Sequence, residues 1–376
     1  MRAALLETVG EPLRVYDDID VEAPNFGEVS VRISHCGVCH SDVHLADGAM
    51  PPATPIVLGH EASGIVDAIG PGVSRIVVGD HVILSPCPPC GSCYWCLRGE
   101  FSICTSSMAL ATSTHPDGGT RLSRGGEVVY RGLGVAAFAE HVVIQESGAV
   151  KIPDDVPLDI ACVVGCAVQT GVGAVLHSAK VQPGDSVLVL GLGGVGQSVV
   201  QGARLAGATT IIVSDPLAER RDAAIRFGAT HSVDPLNDDL MALVMAQTGV
   251  GVDASFDAVG RVALIQEGLA ATRAGGVTVM VGVPPIDEQL VIESPTFFAF
   301  TGKRLVGCLL GGVNSPRDIP RIIDLWKAGL LDLEGLVTKH RPLSEINEAF
   351  DDVRLGRGIR TVVSLAASPI GSGTGL

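Results

Sequence analysis

Aromatic residues make up only 4% of this 376-residue chain. Three Tyr, two Trp and nine Phe cannot fill its interior. The core must therefore be built mostly of Val, Ala, Leu and Ile, which the 47% hydrophobic content supplies. Basic residues are also scarce: 26 Lys and Arg against 41 Asp and Glu give a net charge of −15. A chain of that sign is repelled by nucleic-acid backbones and anionic membranes, so any ligand phosphate must be met by local donors. No apolar run approaches the ~18 residues of a membrane span. Met1 to Gly10 has no basic region leading into an apolar run and cleavage site. Repeats of solenoid period are absent too. These absences predict a cytoplasmic protein with no nucleic-acid or membrane partner. Gly (47) and Cys (10), in contrast, are plentiful. In a reducing compartment, ten Cys point to metal or catalysis rather than a disulfide frame. The length suggests about two domains.

Chemistry is densest between Cys36 and Glu61. The stretch opens Cys36-Gly37-Val38-Cys39-His40-Ser41-Asp42-Val43-His44 and closes Gly59-His60-Glu61. Cys39 and His60 are ligand types that suit zinc. Asp42 and Glu61 are carboxylates close by, fit to orient such ligands. Ser41 and His44 can pass a proton. Any one of these residues alone would read as a buried thiol or a surface His. Around them, residues 1–85 read mainly as β: Glu28 to Ile33 alternates with period two, and Ala62–Val66 and His81–Leu84 are short apolar strands.

Five more Cys follow at 87, 90, 93, 96 and 104. A four-thiolate zinc would hold such a lobe without an apolar core, and four thiolates leave no open coordination position, which argues for a structural role. Two registers fit, 87-90-93-96 and 90-93-96-104. The second pins both ends of a longer loop and is preferred. Residues 105–137 are rich in Gly, Ser and Thr and read as a long loop, either bordering a substrate site or a plain surface excursion. Leu158 to Ala179 reads as helical and apolar. Within it Cys166 is, on spacing alone, one core thiol among several.

The pattern becomes α/β at Pro183-Gly184-Asp185. Ser186–Leu190 is a buried strand, Gly191-Leu192-Gly193-Gly194-Val195-Gly196 a turn, Gln197–Ala206 a helix, and Thr209–Val213 the next strand. Asp215 lies 19 residues past the last Gly of the turn. This is G-x-G-x-x-G in its strand–turn–helix setting, where backbone N–H groups and the helix N-terminus meet a pyrophosphate. Asp215 can accept both hydroxyls of an adenosine ribose and would repel a 2′-phosphate, so NAD is the expected cofactor. Arg220 and Arg221 could partly offset that repulsion. Further strands are expected at 253–257, 276–281 and 359–365, a helix at 316–329 after the Gly311-Gly312 turn, and a disordered Gly- and Ser-rich tail from Ala366 to Leu376.

Taken together, Gly37-Val-Cys-His-Ser-Asp42, Gly59-His-Glu61, Cys90 to Cys104, Gly165-Cys166, Gly191 to Gly196, Asp215 and Ile359-Arg360-Thr361 resemble the zinc-dependent medium-chain alcohol dehydrogenases over nearly the whole chain. The resemblance implies an α/β architecture: a GroES-like β-rich catalytic domain (1–167 and 310–376) and a Rossmann domain with a doubly wound parallel sheet (168–309). It implies two zinc ions per chain. Cys39, His60 and Cys166 would bind the catalytic one; Cys90, Cys93, Cys96 and Cys104 the structural one. It also implies that Glu61 can approach the metal during ligand exchange and that Asp42 orients His60. Thr170 would meet the nicotinamide, and His40 and Arg360 the pyrophosphate; many relatives have Arg where His40 stands. The loop after Cys104 resembles the larger, dimeric members, so a homodimer is expected. In the reaction so implied, zinc is a Lewis acid that eases loss of an alcohol's hydroxyl proton. Ser41 takes that proton and passes it through the cofactor ribose to His44, which releases it to solvent. Hydride goes to the nicotinamide.

Within that family, glutathione-dependent formaldehyde dehydrogenases carry charged residues at the pocket mouth. Ungapped counting from Cys39 and Cys104 places Met50 and Met108 there, which favours an apolar or aromatic primary alcohol over a glutathione adduct while leaving another thiol cofactor open. A zinc-free quinone reductase is disfavoured by the two ligand sets. A zinc-ribbon protein with a nucleotide-sensing fold is disfavoured by the net charge.

Overall fold

The computed structural model describes residues 1–292 and 294–365. The tail read above as disordered lies outside them. The elements that position the site are, in chain order, β1 (Glu28–Gly37), α1 (His40–Asp47), β2 (Glu61–Ile69), β3 (His81–Leu84), β4 (His141–Gln145), β5 (Ala149–Lys151), α2 (Ala167–Gly173), β6 (Ser186–Leu190), α3 (Gly194–Leu205), β7 (Thr210–Ser214), α4 (Ala218–Phe227), β8 (His231–Val233), β9 (Val252–Asp257), β10 (Thr272–Met280), β11 (Arg304–Gly307), β12 (Val337–Pro342), α5 (Ile346–Arg354) and β13 (Arg360–Ser364).

The first half is β-rich. Its main sheet runs β5-β3-β2-β1-β13-β12, with β4 pairing the first part of β1. The ten-residue β1 is long enough to take β4 along Glu28–Arg32 and β13 along His35–Gly37. The C-terminal strand therefore closes the sheet that the N-terminal half begins. Its antiparallel pairing, Val363 opposite Cys36, carries Arg360 back beside the ligand-rich loop. Phe138 packs edge-on against Phe350 of α5, ring centroids 5.8 Å apart, so one of the few aromatic contacts ties the N-terminal half to the C-terminal segment.

The second half is a six-stranded parallel sheet in the order β8-β7-β6-β9-β10-β11. The apolar runs of β6 and β7 suit strands covered on both faces, and all of β6 is buried. The order reverses between β6 and β9. That reversal opens a crevice at the carboxyl ends of the strands, the place where such sheets bind nucleotides. The short β8, His231–Val233, carries too little apolar sequence to have been read as a strand. The segment read as a long loop after Cys104 holds a helical turn, Ala109–Thr112, and three short strands. Among the described residues no single helix is long and apolar enough to cross a membrane.

Candidate active site and cofactor cleft

Cys39 is the N-cap of α1, so its sulfur sits at the positive end of that helix. Asp42, three residues on and fully buried, accepts the Cys39 N–H at 3.1 Å and the Gly59 N–H at 2.9 Å. Its Oδ1 also lies 3.2 Å from His60 Nδ1. One carboxylate thus ties the Cys39 turn to the Gly59-His60 turn and fixes the His60 tautomer, leaving Nε2 for a ligand. Burial opposes charge on His60, but Asp42 outweighs it and holds the imidazole well above its usual range. Cys166 arrives from a break between Cys162–Gly165 and α2, with its backbone at φ −137°, ψ −74°. The ligand atoms of Cys39, His60 and Cys166 lie within 4.8 Å of one another. A hydrogen bond from Cys166 holds Cys39 well below the ordinary thiol range and pushes Cys166 well above it. Two sulfurs and an imidazole are a borderline-soft set that fits zinc and leaves a fourth position open.

Ser41 Oγ lies 3.2 Å from His60 Nε2, at the edge of this set. His44 is one turn further along α1 and half-buried, its ring 5.9 Å from that of the exposed His40. Glu61 Oε1 accepts the Ala167 N–H at 2.8 Å, and Oε2 is 3.3 Å from Arg360 Nε. Burial pushes Glu61 up to about 7, against the pull of Arg360.

The sulfurs of Cys90, Cys93, Cys96 and Cys104 form a second set, also within 4.8 Å. Backbone N–H groups of Cys90, Cys93, Cys96 and Ser106 donate to Cys104, Cys90, Cys93 and Cys104 sulfurs respectively, at 3.2–3.5 Å. Such donors favour thiolates. The Cys96 N–H is the leading cause that draws Cys93 down to about 5. Four converging thiols fit a closed tetrahedral zinc site. Cys87 is not in the set. It packs with Leu310 and Val313, and burial pushes it up to about 12.

At the crevice, Gly191 has φ +88° and an added Cβ would strike Val259, while a Cβ on Gly196 would lie 1.9 Å from the Gly191 carbonyl. Gly193, at the N-terminus of α3, has nothing within 4 Å of the position its Cβ would take. That open space above helix N–H groups is where a pyrophosphate would approach. Gly194 lies under the Arg360 guanidinium, and Val195 follows in the first turn. Thr170, in α2, is buried next to the Cys166 turn and donates its N–H to the Cys166 carbonyl at 2.9 Å. Asp215 directly follows β7, its carboxylate accepting the N–H groups of Leu192 (2.8 Å) and Leu217 (2.9 Å). Arg220 Nε and Nη2 donate to the Gly358 carbonyl at 3.0 and 2.9 Å, while Nη1 lies 4.0 Å from Asp215 Oδ2. No sequence signal marks the contact with Gly358, which lies 138 residues away.

The glycines make a paired expectation. Gly193→Ala should fold normally yet raise the Kd for NAD about tenfold or more, because its methyl fills the approach space. Gly196→Ala should cost about 2 kcal/mol or more of stability through the clash with Gly191. Thermal melts and calorimetric titration check both. A Gly193→Ala protein that binds NAD normally would show that the pyrophosphate does not sit there.

Two family models match the chain, the alcohol dehydrogenase GroES-like domain over residues 25–154 and the zinc-binding dehydrogenase domain over residues 194–328. An S-(hydroxymethyl)glutathione dehydrogenase from Synechocystis is 39% identical, covering 96% of this chain and 99% of its own. An NDMA-dependent alcohol dehydrogenase from Amycolatopsis methanolica is 34% identical, covering 97% and 99%. The crystal structure of benzyl alcohol dehydrogenase from Acinetobacter calcoaceticus superposes with a TM-score of 0.91 at 30% identity, covering 97% and 99%. With both halves matched and two such ligand sets in place, the chain belongs to the zinc-dependent medium-chain alcohol dehydrogenase family.

Proposed function

We propose that the protein interconverts primary alcohols and aldehydes with NAD, on a catalytic zinc held by Cys39, His60 and Cys166, with a structural zinc held by Cys90, Cys93, Cys96 and Cys104. The observation that carries this reading is the placement of Arg360, which touches Glu61 beside the first ligand set and lies over Gly194 of the cofactor loop. When bound, the metal supplies a Lewis acid for the substrate oxygen and the nicotinamide takes the hydride. The chain's own residues do the rest. Asp42 fixes the His60 ring. Ser41, next to His60 Nε2, takes the hydroxyl proton, and His44 releases it to solvent. Thr170, His40, Arg360 and Asp215 position the cofactor.

An apolar wall supports an apolar or aromatic substrate: Leu110, Leu310 and Val313 pack with Cys87 and Cys166. Leu110 comes from the segment after Cys104, which supports the reading in which that segment borders the site. The identity to an S-(hydroxymethyl)glutathione dehydrogenase keeps the thiol-adduct reaction as a second reading. A homodimer is supported by β11, an edge strand paired on one side among the described residues, with Phe297 and Phe300 exposed near it; sedimentation as a monomer would count against it. None of the ten Cys is in a disulfide, so the seven in the two ligand sets are open to metal.

The test is a panel of alcohols and aldehydes, with and without glutathione, followed at the nicotinamide absorbance, beside elemental analysis. Two zinc per chain and turnover of aromatic or longer alkyl alcohols are expected. Turnover of formaldehyde only with glutathione would select the second reading, and full activity in metal-free protein would end both.

A further inference from the structure

Two buried polar atoms at the centre of the site, Glu61 Oε2 and Arg360 Nε, have no hydrogen-bond partner. They face each other at 3.3 Å, within ion-pair distance but not aligned as a hydrogen bond. The rest of each group is held. Glu61 Oε1 takes the Ala167 N–H at 2.8 Å, and Arg360 Nη1 donates to the Val38 carbonyl at 3.0 Å. The free edge of the guanidinium lies across Gly194, where an added Cβ would meet Nη2, Cζ and Nε at 2.4–2.7 Å. Arg360 is thus anchored at one nitrogen and shared between two places. One is a carboxylate next to a metal-ligand residue; the other is the helix N-terminus that a pyrophosphate must approach. A carboxylate and a phosphate both bind guanidinium through the same N–H edge.

We propose that Glu61 and the pyrophosphate of NAD compete for Arg360, so that cofactor binding draws Arg360 off Glu61 and frees that carboxylate beside Cys39, His60 and Cys166. The inference rests on the dehydrogenase reading and adds to it a coupling between the two halves of the molecule. Linkage makes the coupling reciprocal: whatever holds Glu61 to Arg360 weakens cofactor binding by the same factor by which the cofactor loosens that pair. Arg360 acts here as a positioning residue, pivoting about the Val38 carbonyl.

The sign of this effect is unusual and can be measured without turnover. Removing an acid that holds the cofactor's cation should tighten NAD binding. Calorimetric titration of zinc-loaded protein, with zinc content measured on every sample, would compare wild type, Glu61→Gln, Glu61→Asp, Arg360→Gln and the Glu61→Gln/Arg360→Gln double variant. Glu61→Asp keeps the charge and withdraws it by one methylene, and it serves if the neutral variant folds poorly. Both Glu61 variants should lower the Kd for NAD by about fivefold or more, the low end of ordinary coupling between linked sites. Adenosine, which carries no phosphate, should bind all of them alike. In the Arg360→Gln background the Glu61 change should do nothing. Unchanged or weaker NAD binding in both Glu61 variants would overturn the proposal. So would equal tightening of adenosine, or tightening that persists without Arg360, since either marks a general charge effect. Failure of wild type to bind NAD at all would instead strike the dehydrogenase reading.

Discussion

Cys104→Ser is expected to release one of the two zinc ions and collapse the lobe between residues 90 and 104, whereas Cys87→Ser should leave both zinc content and melting temperature nearly unchanged. The lobe has little else to hold it. In its helical turn Tyr94–Leu97, Cys96 is the buried residue while Tyr94 and Leu97 are exposed. Its order comes from four sulfurs within 4.8 Å and the N–H groups aimed at them. Structural zinc contributes about 10–16 kcal/mol in small peptides, so losing one of four ligands removes several kcal/mol. At about 1–2 °C per kcal/mol for a chain of this length, the melting temperature should fall by roughly 5 °C or more. Cys87 has the opposite character. Its thiol, pushed up to about 12 by burial among apolar neighbours, stays protonated and is a poor ligand. Elemental analysis and thermal melts on both variants decide it. A silent Cys104→Ser with a damaging Cys87→Ser would restore the 87-90-93-96 register.

The sequence made some of this legible because the information was local. Cys39, Asp42, His60 and Glu61 lie within one short stretch, and the glycine turn sits between a recognisable strand and helix. The buried runs of β6 and β7 read as strands because they are short, rich in Val and Ile, and flanked by turn residues. Cys166 was different. It lies 106 residues past His60 in an apolar helical context, and only the family resemblance singled it out. What brings it to the site is a break in the helix, which no periodicity encodes. Arg360 was likewise found by resemblance, while its contact with Glu61 depends on strand β13 pairing with β1. Arg220 reads as a cofactor cation from its distance to Asp215, and the fold keeps it within ion-pair distance of that carboxylate while also tying its guanidinium to the Gly358 carbonyl, which the sequence does not signal. The strand at His231–Val233 has two polar residues of three, so its place in the sheet comes from pairing with β7 rather than from its own pattern.

That disposition of the arginines sharpens the expectation for cofactor choice. Asp215 presents a buried carboxylate at the end of β7, each oxygen already taking one backbone N–H and each with a lone pair left for a ribose hydroxyl. A 2′-phosphate there would meet like charge. Arg220 is bound to Gly358, with Nη1 4.0 Å from Asp215. Arg221 donates to the Asp215 carbonyl at 2.6 Å and to Asp234 at 3.3 Å. Arg220 keeps its charge within ion-pair distance of Asp215, while Arg221 is turned to backbone and Asp234, so the arginines offset the repulsion only in part. Wild type is expected to favour NAD over NADP by about a hundredfold or more in kcat/KM, close to 3 kcal/mol. Asp215→Ser removes the charge but also the anchors of Leu192 and Leu217, so both cofactors should lose efficiency. The ratio cancels that shared loss, and it should shrink to within about tenfold. Steady-state kinetics with both cofactors on both proteins is the measurement. An unchanged ratio would mean that another residue reads the ribose. Full reversal to NADP would mean that Arg220 lets go of Gly358 to meet the phosphate, so the contact between α4 and the turn before β13 would then be weaker than its two hydrogen bonds imply.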